Sequence, residues 1–348
     1  MILPGSQTAV LILLIVGMLG WALWANTFKA AGGAWRFELF YFDFAIGVLL
    51  AAIVLALTAG SLGFDGFSFS DDMRLAGKRQ DLFGFLAGAI FNLGNMLLLG
   101  GISITGMAVA FPAGMGFAMV VAALWSFALN PGGNSAFLSV GAVVVLGAIV
   151  FDILAFKTWS TAKLKAQAVA TGKTRKRKSS LKGVFISLAG GLLLGSFAPL
   201  IQLGRAGENG LGPYSIGFMF AIGVLFTTFV FNLFFMNLPV QGAPVDMAQY
   251  FTAPVTRHGL GLLGGIVWYI GMIASLIGGR VEGTARVAAP VTYALEQGGT
   301  VIAALCGLLL WREYAGANTG VKIRVGLMLV LLLAGIGLFA AGVETPRT

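Results

Sequence analysis

Long apolar stretches separated by short polar connectors run through the whole chain of 348 residues. A helix needs about 20 apolar residues to cross a hydrocarbon core of roughly 30 Å, and ten stretches meet that length. The connectors are rich in Gly, Pro, Asn and Asp, as in residues 130–134. The pattern predicts an all-α integral membrane protein with ten transmembrane helices. The predicted helices are approximately 9–27, 38–58, 82–101, 105–128, 137–156, 183–203, 214–236, 259–278, 288–310 and 324–342.

One hexapeptide occurs in both halves of the chain, because residues 44–49 and 220–225 are both Phe-Ala-Ile-Gly-Val-Leu. Neighbouring positions match at a similar offset: Gly20 with Gly195, Lys29 with Arg205, Gly88 with Gly265, Gly94 with Gly271, Gly101 with Gly278 and Pro112 with Pro290. Duplicated membrane units are typical of secondary transporters. Since five helices per unit is an odd number, the two units insert in opposite senses. We expect a five-plus-five inverted repeat, with residues 1–160 and 183–348 as the repeats and 161–182 as a basic linker.

The distribution of charge predicts the orientation of the chain. Hydrophobic residues make up 58% and charged residues 10%, whereas soluble domains carry about 25% charge. If both termini face outward, 15 of the 22 Lys and Arg residues lie on the inner side. The opposite orientation reverses that count. The positive-inside rule therefore predicts termini outside and the central basic loop in the cytoplasm, and we expect the membrane to be a bacterial inner (plasma) membrane.

Several other functions are excluded by the sequence. The net charge of +9 is concentrated in the central loop, where it suits topology and contact with anionic membrane lipids better than nucleic-acid binding. Gly172-Lys173-Thr174 lacks the glycine of a phosphate loop five residues earlier, where the chain has Gln167. With one cysteine and one histidine, an intrachain disulfide and a Cys/His zinc cluster are excluded. No cofactor, metal site or enzymatic activity is predicted.

Glu296 is the most informative polar residue at membrane depth, where polar groups are costly and mark a pathway or hold helices together. Tyr293 lies three residues before it, and Gln297 lies four residues after Tyr293, so these side chains share a helix face. Burial there disfavours the charged form of the carboxyl group. Glu296 is predicted to bind a solute or to carry a proton. The alternative is a structural glutamate, protonated or paired with an arginine.

Asn92 and Asn95 are three residues apart in the third predicted helix, and the matching region of the eighth contains Trp268 and Tyr269. Amides that face aromatic rings suit a neutral solute that is polyhydroxylated or rich in amides. The alternative is hydrogen bonding between helices together with an interfacial aromatic ring.

Lys29 and Arg205 occupy matching positions after the first helix of each half. A cation retained in both repeats predicts a gate or an ion pair at each end of the pathway. The alternative is that both side chains reach the membrane surface by snorkelling. Trp21 and Trp24 either line the pathway or belong to an aromatic belt, and residues 311–314 are interpreted as an interfacial anchor.

Four short strings resemble the sugar and ureide branch of the drug/metabolite transporter superfamily, which includes the L-rhamnose transporter, the glucose/ribose porter and the plant ureide permeases. These strings are residues 24–29, 88–95, 263–269 and 309–317. In that branch the first string ends its helix in a Phe–Lys pair, and the second and third face the cavity. The last string ends the ninth helix with an acidic residue followed by a glycine. The resemblance implies a ten-helix transporter for sugars or ureides, although the short central loop differs from that of the plant permeases.

These observations predict a secondary active transporter with one central site that is reached alternately from either side. Its expected solute is a small neutral polar metabolite such as a sugar or a ureide, and coupling to protons is an open question. We also expect Pro112 and Pro290 to interrupt two helices near the midplane. The predicted substrate-binding residues are Trp24, Asn92, Asn95, Gln202, Trp268, Tyr269, Tyr293, Glu296 and Gln297.

One alternative stays within transport. An exporter of hydrophobic or cationic drugs would also use a buried acid near aromatic rings, although the neutral amides at Asn92 and Asn95 disfavour it. The expected partners are a small-molecule solute, protons and membrane lipids, and no nucleic acid. The sequence leaves both a monomer and a homodimer open.

Overall fold

The structure, a computed structural model, describes residues 1–62, 68–129, 133–171, 181–279 and 283–343. Within these ranges it contains thirteen α-helices and no strand. The α-helices are α1 (Gln7–Leu23), α2 (Ala25–Ala30), α3 (Phe37–Leu57), α4 (Phe69–Leu75), α5 (Lys78–Thr105), α6 (Met107–Leu129), α7 (Ser135–Thr171), α8 (Lys182–Gly204), α9 (Pro213–Asn237), α10 (Ala248–Phe251), α11 (Val255–Gly278), α12 (Ala289–Leu305) and α13 (Thr319–Gly342). A 3-10 turn, Gly283–Ala285, precedes α12, and a π-helical turn, Cys306–Leu310, continues it.

Ten helical segments of the described ranges are long and apolar enough to cross a membrane, and each predicted stretch falls on one of them. The all-α, multi-pass membrane architecture is therefore confirmed. α1 and α2 together form the first span, and α12 with its π-helical turn forms the ninth. The short helices α4 and α10 lie between spans. Because short segments connect the spans, consecutive spans run in opposite directions.

The fifth span differs from its predicted end at residue 156, because α7 continues to Thr171. The first part of the predicted linker is thus helical. Residues 161–170 are mostly Ala, Lys, Leu and Gln, which are strong helix formers, so this helix extends beyond the apolar stretch. We call residues 157–171 the stalk. The most basic part of the predicted loop, residues 172–180, lies outside the described residues.

The two matched prolines occupy different places in their helices. Pro112 lies inside α6, where it removes one backbone hydrogen bond. Pro290 lies in the first turn of α12, where an amide N–H would have no partner within the helix in any case. The expectation that Pro290 interrupts its helix was therefore wrong, because α12 begins only one residue before it.

Helices of the two halves pack closely at matched glycines. A side chain at Gly88 of α5 would collide with the carbonyl oxygen of Phe220 on α9. A side chain at Gly265 of α11 would collide with the carbonyl oxygen of Phe44 on α3. Such close approach between backbones is how small residues stabilise helix pairs in a membrane. In each pair, a glycine of one predicted repeat meets the backbone of the other.

Candidate functional site

Two adjoining cavities lie among α1, α5, α6, α8, α11 and α12. The central cavity has a volume of about 160 Å³, and a second cavity has a volume of about 250 Å³. Trp21, Phe197, Ala198 and Glu296 line both of them. The second cavity also reaches Arg205, so we call it the Arg205-side cavity. Because these four residues line both, the two cavities are neighbours, and the second lies toward the end of α8.

Aromatic rings form a large part of the central cavity wall. The ring centroids of Phe91 and Trp268 are 4.1 Å apart, and Phe220 stacks on Trp268 at 5.5 Å with 15° between the ring planes. Trp24 packs against Phe44 at 5.1 Å. This packing fixes the rings in place, so the cavity offers flat and rigid apolar surfaces to a ligand.

Asn95 places a carboxamide at the central cavity. Its Nδ2 donates a hydrogen bond of 3.1 Å to the phenol oxygen of Tyr41, a fully buried side chain of α3. Within the described residues, the Asn95 Oδ1 has no hydrogen-bond partner. Since Tyr41 fixes the amide, this oxygen is available to accept from a ligand.

Glu296 and Gln297 bring polar groups to the same cavity from α12. The Glu296 carboxyl group lies beside Gly279, where an added Cβ would be 3.2 Å from Oε1. Gly279 lines the Arg205-side cavity together with Gln202. Glu296 therefore stands where the two cavities meet, and no ion pair with it occurs in the part of the chain that the structure describes.

Two further donors were not among the predicted substrate-binding residues. Trp21 Nε1 and Ser275 Oγ are buried and have no hydrogen-bond partner among the described residues. Both residues line the Arg205-side cavity, and Trp21 also lines the central one. Because unpartnered buried donors are rare, these groups are positioned to bind a polar ligand. Ser275 gave no signal in the sequence, since small hydroxyl residues are common in membrane helices.

The structure thus brings six of the predicted substrate-binding residues to one pair of cavities. Trp24, Asn95, Trp268 and Gln297 line the central cavity, Gln202 lines the Arg205-side cavity, and Glu296 lines both.

Asn92 faces α9 instead. Its Nδ2 donates to Thr227 Oγ1 at 2.8 Å, to Thr228 Oγ1 at 3.1 Å and to the Val224 carbonyl oxygen at 3.1 Å. Asn92 is fully buried. These bonds join α5 to α9, which is the interhelical alternative considered for this residue.

Tyr269 and Tyr293 also lie outside the lining of both cavities. The Tyr269 phenol lies against α9, where a Cβ added at Gly217 would be 2.6 Å from it. The Tyr293 ring packs against Phe339 of α13, with 6.1 Å between the centroids. Neither position brings the side chain to a ligand in the central cavity.

Lys29 forms an ion pair at the opposite end of the helix bundle from Arg205. Its Nζ lies 2.7 Å from Glu313 Oε1. The same carboxylate accepts hydrogen bonds from the backbone N–H groups of Met107, at 2.9 Å, and Ala108, at 2.7 Å. Gly106, which precedes them, has a φ of +91°. A side chain at this position would occupy the space that the Glu313 carboxylate fills. Glu313 thereby joins α2 to the start of α6, a role beyond the interfacial anchor expected for its segment.

Arg205 borders the Arg205-side cavity. Its Nη1 donates a hydrogen bond of 3.1 Å to the Leu276 carbonyl oxygen on α11. Lys29 thus binds a carboxylate, and one contact of Arg205 is with a backbone carbonyl.

His258 belongs to a separate polar cluster near the start of α11. Its Nδ1 lies 2.9 Å from Asp43 Oδ2 of α3, and Tyr250 donates a hydrogen bond of 2.6 Å to Asp43 Oδ1. Burial, followed by the bond to Asp43, raises the pKa of the Tyr250 phenol above its ordinary value. Trp35 covers the cluster. The cluster holds α10 and α11 against α3 at a distance from the cavities.

Comparisons with known proteins bear on the fold and on the class of function. No family model matches the chain. Ureide permease 1 of Arabidopsis thaliana is 20% identical over 349 residues, covering 86% of this chain and 88% of that protein. Ureide permease 4 of the same plant is 23% identical over 360 residues, with the same two coverages of 86% and 88%. A solved crystal structure has 13% identity and a TM-score of 0.52, covering 96% of this chain and 97% of its own.

The likeness to the solved structure concerns the fold alone. The two permeases support a transporter for small polar metabolites and point away from an enzyme. Together with the ten apolar spans, they make this chain a multi-pass membrane transporter with a small-molecule solute.

Proposed function

We propose that this chain is a secondary active transporter of a neutral, amide-rich metabolite of the ureide kind, and that the central cavity binds the solute. One observation carries the proposal: residues that are distant in the sequence and unlike in chemistry converge on that cavity. It combines the Trp24 and Trp268 rings, the Asn95 amide and the Glu296 carboxyl group. The similarity to two ureide permeases supports the solute class and the proposed place in the drug/metabolite transporter superfamily.

The chemistry of a ureide matches these groups. The ureido group of such a solute is planar and carries N–H donors beside a carbonyl acceptor. Its flat face can stack on the aromatic wall, and its N–H groups can donate to Asn95 Oδ1 and to Glu296. The Trp21 N–H and the Gln297 amide can donate to its carbonyl oxygens. The central cavity, at about 160 Å³, suits a small solute. A sugar would use the same groups with hydroxyls in place of the amides.

Access to the site is proposed to alternate between two ends. The Arg205-side cavity provides the route at one end. At the other end, the Lys29–Glu313 pair joins α2 to α6, and its separation would open the second route. Counting spans places Lys29, Glu313 and the stalk on one side of the membrane, which the positive-inside rule assigns to the cytoplasm.

Thermal unfolding of the purified protein with candidate solutes tests the proposal. A ligand at 100 times its dissociation constant stabilises the folded state by about 2.7 kcal/mol. We expect a rise in Tm with ureides such as allantoin, a smaller rise or none with neutral sugars, and loss of the rise in Asn95→Ala.

Tyr41→Phe is the matched control for Asn95→Ala. It removes the hydrogen bond between Tyr41 and Asn95 but leaves the cavity amide in place, so it should lower the Tm without abolishing the shift with ligand. A shift with sugars alone would replace the ureide by a sugar. A shift with ureides that persists in Asn95→Ala would contradict the proposed site.

Export of cationic drugs is the second candidate function, and Glu296 favours it. A carboxylate among aromatic rings binds a cation well, and Glu296 has no basic partner among the described residues. If this function is correct, cationic dyes should stabilise the protein where ureides do not. Glu296→Gln should then abolish the stabilisation.

A further inference from the structure

A wide groove lies beside the stalk, apart from the two solute cavities. Its volume is about 590 Å³. Among the residues that the structure describes, none lines both this groove and either solute cavity. The end of α5, the stalk and the segment after the ninth span form its walls. We call it the stalk groove, which is lined by Lys29, Gln241, residues 102–106, residues 311–314 and one face of residues 156–167.

The stalk groove carries a surplus of positive charge. Its described lining contains three basic residues, Lys29, Lys163 and Arg312, and one acidic residue, Glu313. The Glu313 carboxylate already binds Lys29 and the first N–H groups of α6. Lys163 and Arg312 are exposed, and neither forms an ion pair with a residue in the described ranges. Two positive charges in the groove therefore have no counter-charge from this part of the chain.

Arg312 is held in an unusual backbone conformation. Its φ is +49°, and it is the only described residue other than glycine with a positive φ. Hydrogen bonds on both sides fix this turn: the Glu313 N–H donates to the Gly307 carbonyl oxygen at 3.1 Å, and the Ala315 N–H donates to the Arg312 carbonyl oxygen at 2.9 Å. Glycine would adopt this conformation with less strain. Because such strain is typical of functional positions, the arginine side chain is a candidate ligand-binding group.

The chemistry of the stalk groove suits a phosphate group. A guanidinium group presents a fork of N–H donors that matches two phosphate oxygens, and an ammonium group adds a compact charge. Arg312 and Lys163 bring one of each to the groove from different elements. The Gln241 amide also lines the groove and can donate further hydrogen bonds. Basic pockets between membrane helices bind phosphate-bearing headgroups in the same way.

We propose that the stalk groove is a binding site for a phosphate group, with Arg312 and Lys163 as its main contacts. The phosphate belongs either to the headgroup of an anionic lipid or to a small soluble phosphate compound, since both present the same charged oxygens. The site does not depend on the proposed solute or on the central cavity.

Thermal unfolding of the purified protein with inorganic phosphate tests the site. The rise in Tm with phosphate concentration gives a dissociation constant. We expect Arg312→Gln and Lys163→Gln each to raise this constant by about tenfold, because each removes a hydrogen bond to a charged oxygen. Sodium chloride at equal ionic strength controls for screening.

Lys165→Gln is the matched control. It removes the same charge from an exposed position on the stalk, but Lys165 does not line the groove. It should leave the dissociation constant unchanged. Phosphate also stabilises folded proteins in general, and that effect would be equal in all variants. Equal rises in Tm in the wild type and all three variants, or no rise beyond that with sodium chloride, would overturn the proposal.

Protein in lipid nanodiscs identifies the source of the phosphate. If the ligand is a headgroup, phosphatidylglycerol in place of phosphatidylcholine should raise the Tm of the wild type and of Lys165→Gln, but not that of Arg312→Gln. Inorganic phosphate should then add nothing further in phosphatidylglycerol. If the ligand is soluble, phosphate should raise the wild-type Tm in both lipids. The ureide-dependent rise in Tm should persist in Arg312→Gln, so a failure of this site is distinguishable from a failure of the proposed function.

Discussion

The Glu313 carboxylate binds both a charged side chain and the start of a helix. It pairs with the Lys29 ammonium group at 2.7 Å, and it accepts the first two backbone N–H groups of α6. The first N–H groups of a helix have no partner within the helix, and the helix dipole favours a negative charge there. The pair is mostly shielded from water, since the side chains are 24% and 12% exposed. Glu313 therefore stabilises both a helix start and a contact between the two halves of the chain.

We predict that Glu313→Ala lowers the free energy of unfolding by about 2.5–4 kcal/mol, because a cap contributes about 1 kcal/mol and a charged hydrogen bond about 1.5–3 kcal/mol. Glu313→Gln should cost less, since its amide oxygen can still accept from the helix. Denaturant unfolding of the purified variants measures both values. A double-mutant cycle with Lys29→Met gives the energy of the pair, and a coupling near zero would contradict the ion pair.

Glu296 is predicted to carry a proton as well as to contact the solute. Glu296→Gln removes the titratable group but keeps the shape of the side chain. If Glu296 couples proton movement to transport, uptake driven by a pH gradient should be abolished, while exchange of solute for solute continues. Both rates can be measured in proteoliposomes. Uptake with an unchanged dependence on pH would assign Glu296 to another role.

Asn92, Asn95 and Glu296 were found from the sequence, but their partners were not. Asn92 and Asn95 have the same side chain and lie on one helix. Only Asn95 reaches the central cavity, because Thr227 and Thr228 of α9 bind Asn92. Those threonines are 135 and 136 residues away in the chain. A contact over such a distance depends on how the helices assemble, and single-sequence patterns do not contain that information.

At the scale of the helix, glycines decide where elements meet. The backbone of Phe220 fills the place where Gly88 would carry a side chain, and the backbone of Phe44 does the same at Gly265. Helix association in lipid depends on such close packing because the surroundings are as apolar as the side chains. These glycines are therefore fixed by contacts rather than by backbone freedom.

We predict that Gly88→Ala and Gly265→Ala each lower the free energy of unfolding by about 1–3 kcal/mol, the usual cost of forcing extra atoms into a packed interior. Gly337→Ala in α13 is the matched control, because no atom lies within 4 Å of the added Cβ. It should be neutral, or stabilising by up to about 1 kcal/mol. Equal losses of stability in all three variants would contradict the packing argument.

The helices themselves were predictable, since every predicted stretch falls on an observed span. The ends of the helices were less predictable from the sequence. Pro290 suggested a break in the ninth span, whereas α12 starts beside it. The fifth apolar stretch ends near residue 156, but α7 continues to Thr171. Hydropathy reports where lipid contact ends, whereas a helix continues for as long as local propensity supports it.

At the scale of the whole molecule, the two predicted halves interlock. α5 of the first half packs mainly against α8 and α9 of the second, and α11 of the second packs mainly against α1 and α3 of the first. Each half thus contributes one helix to the core of the other. Consequently, residues of both predicted halves form the cavity walls. A movement of one half relative to the other would therefore change the shape of the site.

The predicted orientation can be tested with single cysteines. In a Cys306→Ala background, Ser70→Cys lies before the third span and Lys165→Cys lies on the stalk, and both positions are exposed. An impermeant thiol reagent added to intact cells should label Ser70→Cys but not Lys165→Cys. The reverse result would mean that the termini face the cytoplasm. Labelling of both in permeabilised cells is the control for reactivity.

The stalk has a consequence for how the basic sequence meets the membrane. At 1.5 Å per residue, a helix that continues along the membrane normal would carry Lys165 about 14 Å, and Thr171 about 22 Å, beyond the end of the apolar stretch. The Debye length at physiological salt is only about 8 Å. Screening would therefore weaken the attraction between Lys165 and anionic headgroups, whereas Lys157, at the start of the stalk, stays within reach of them.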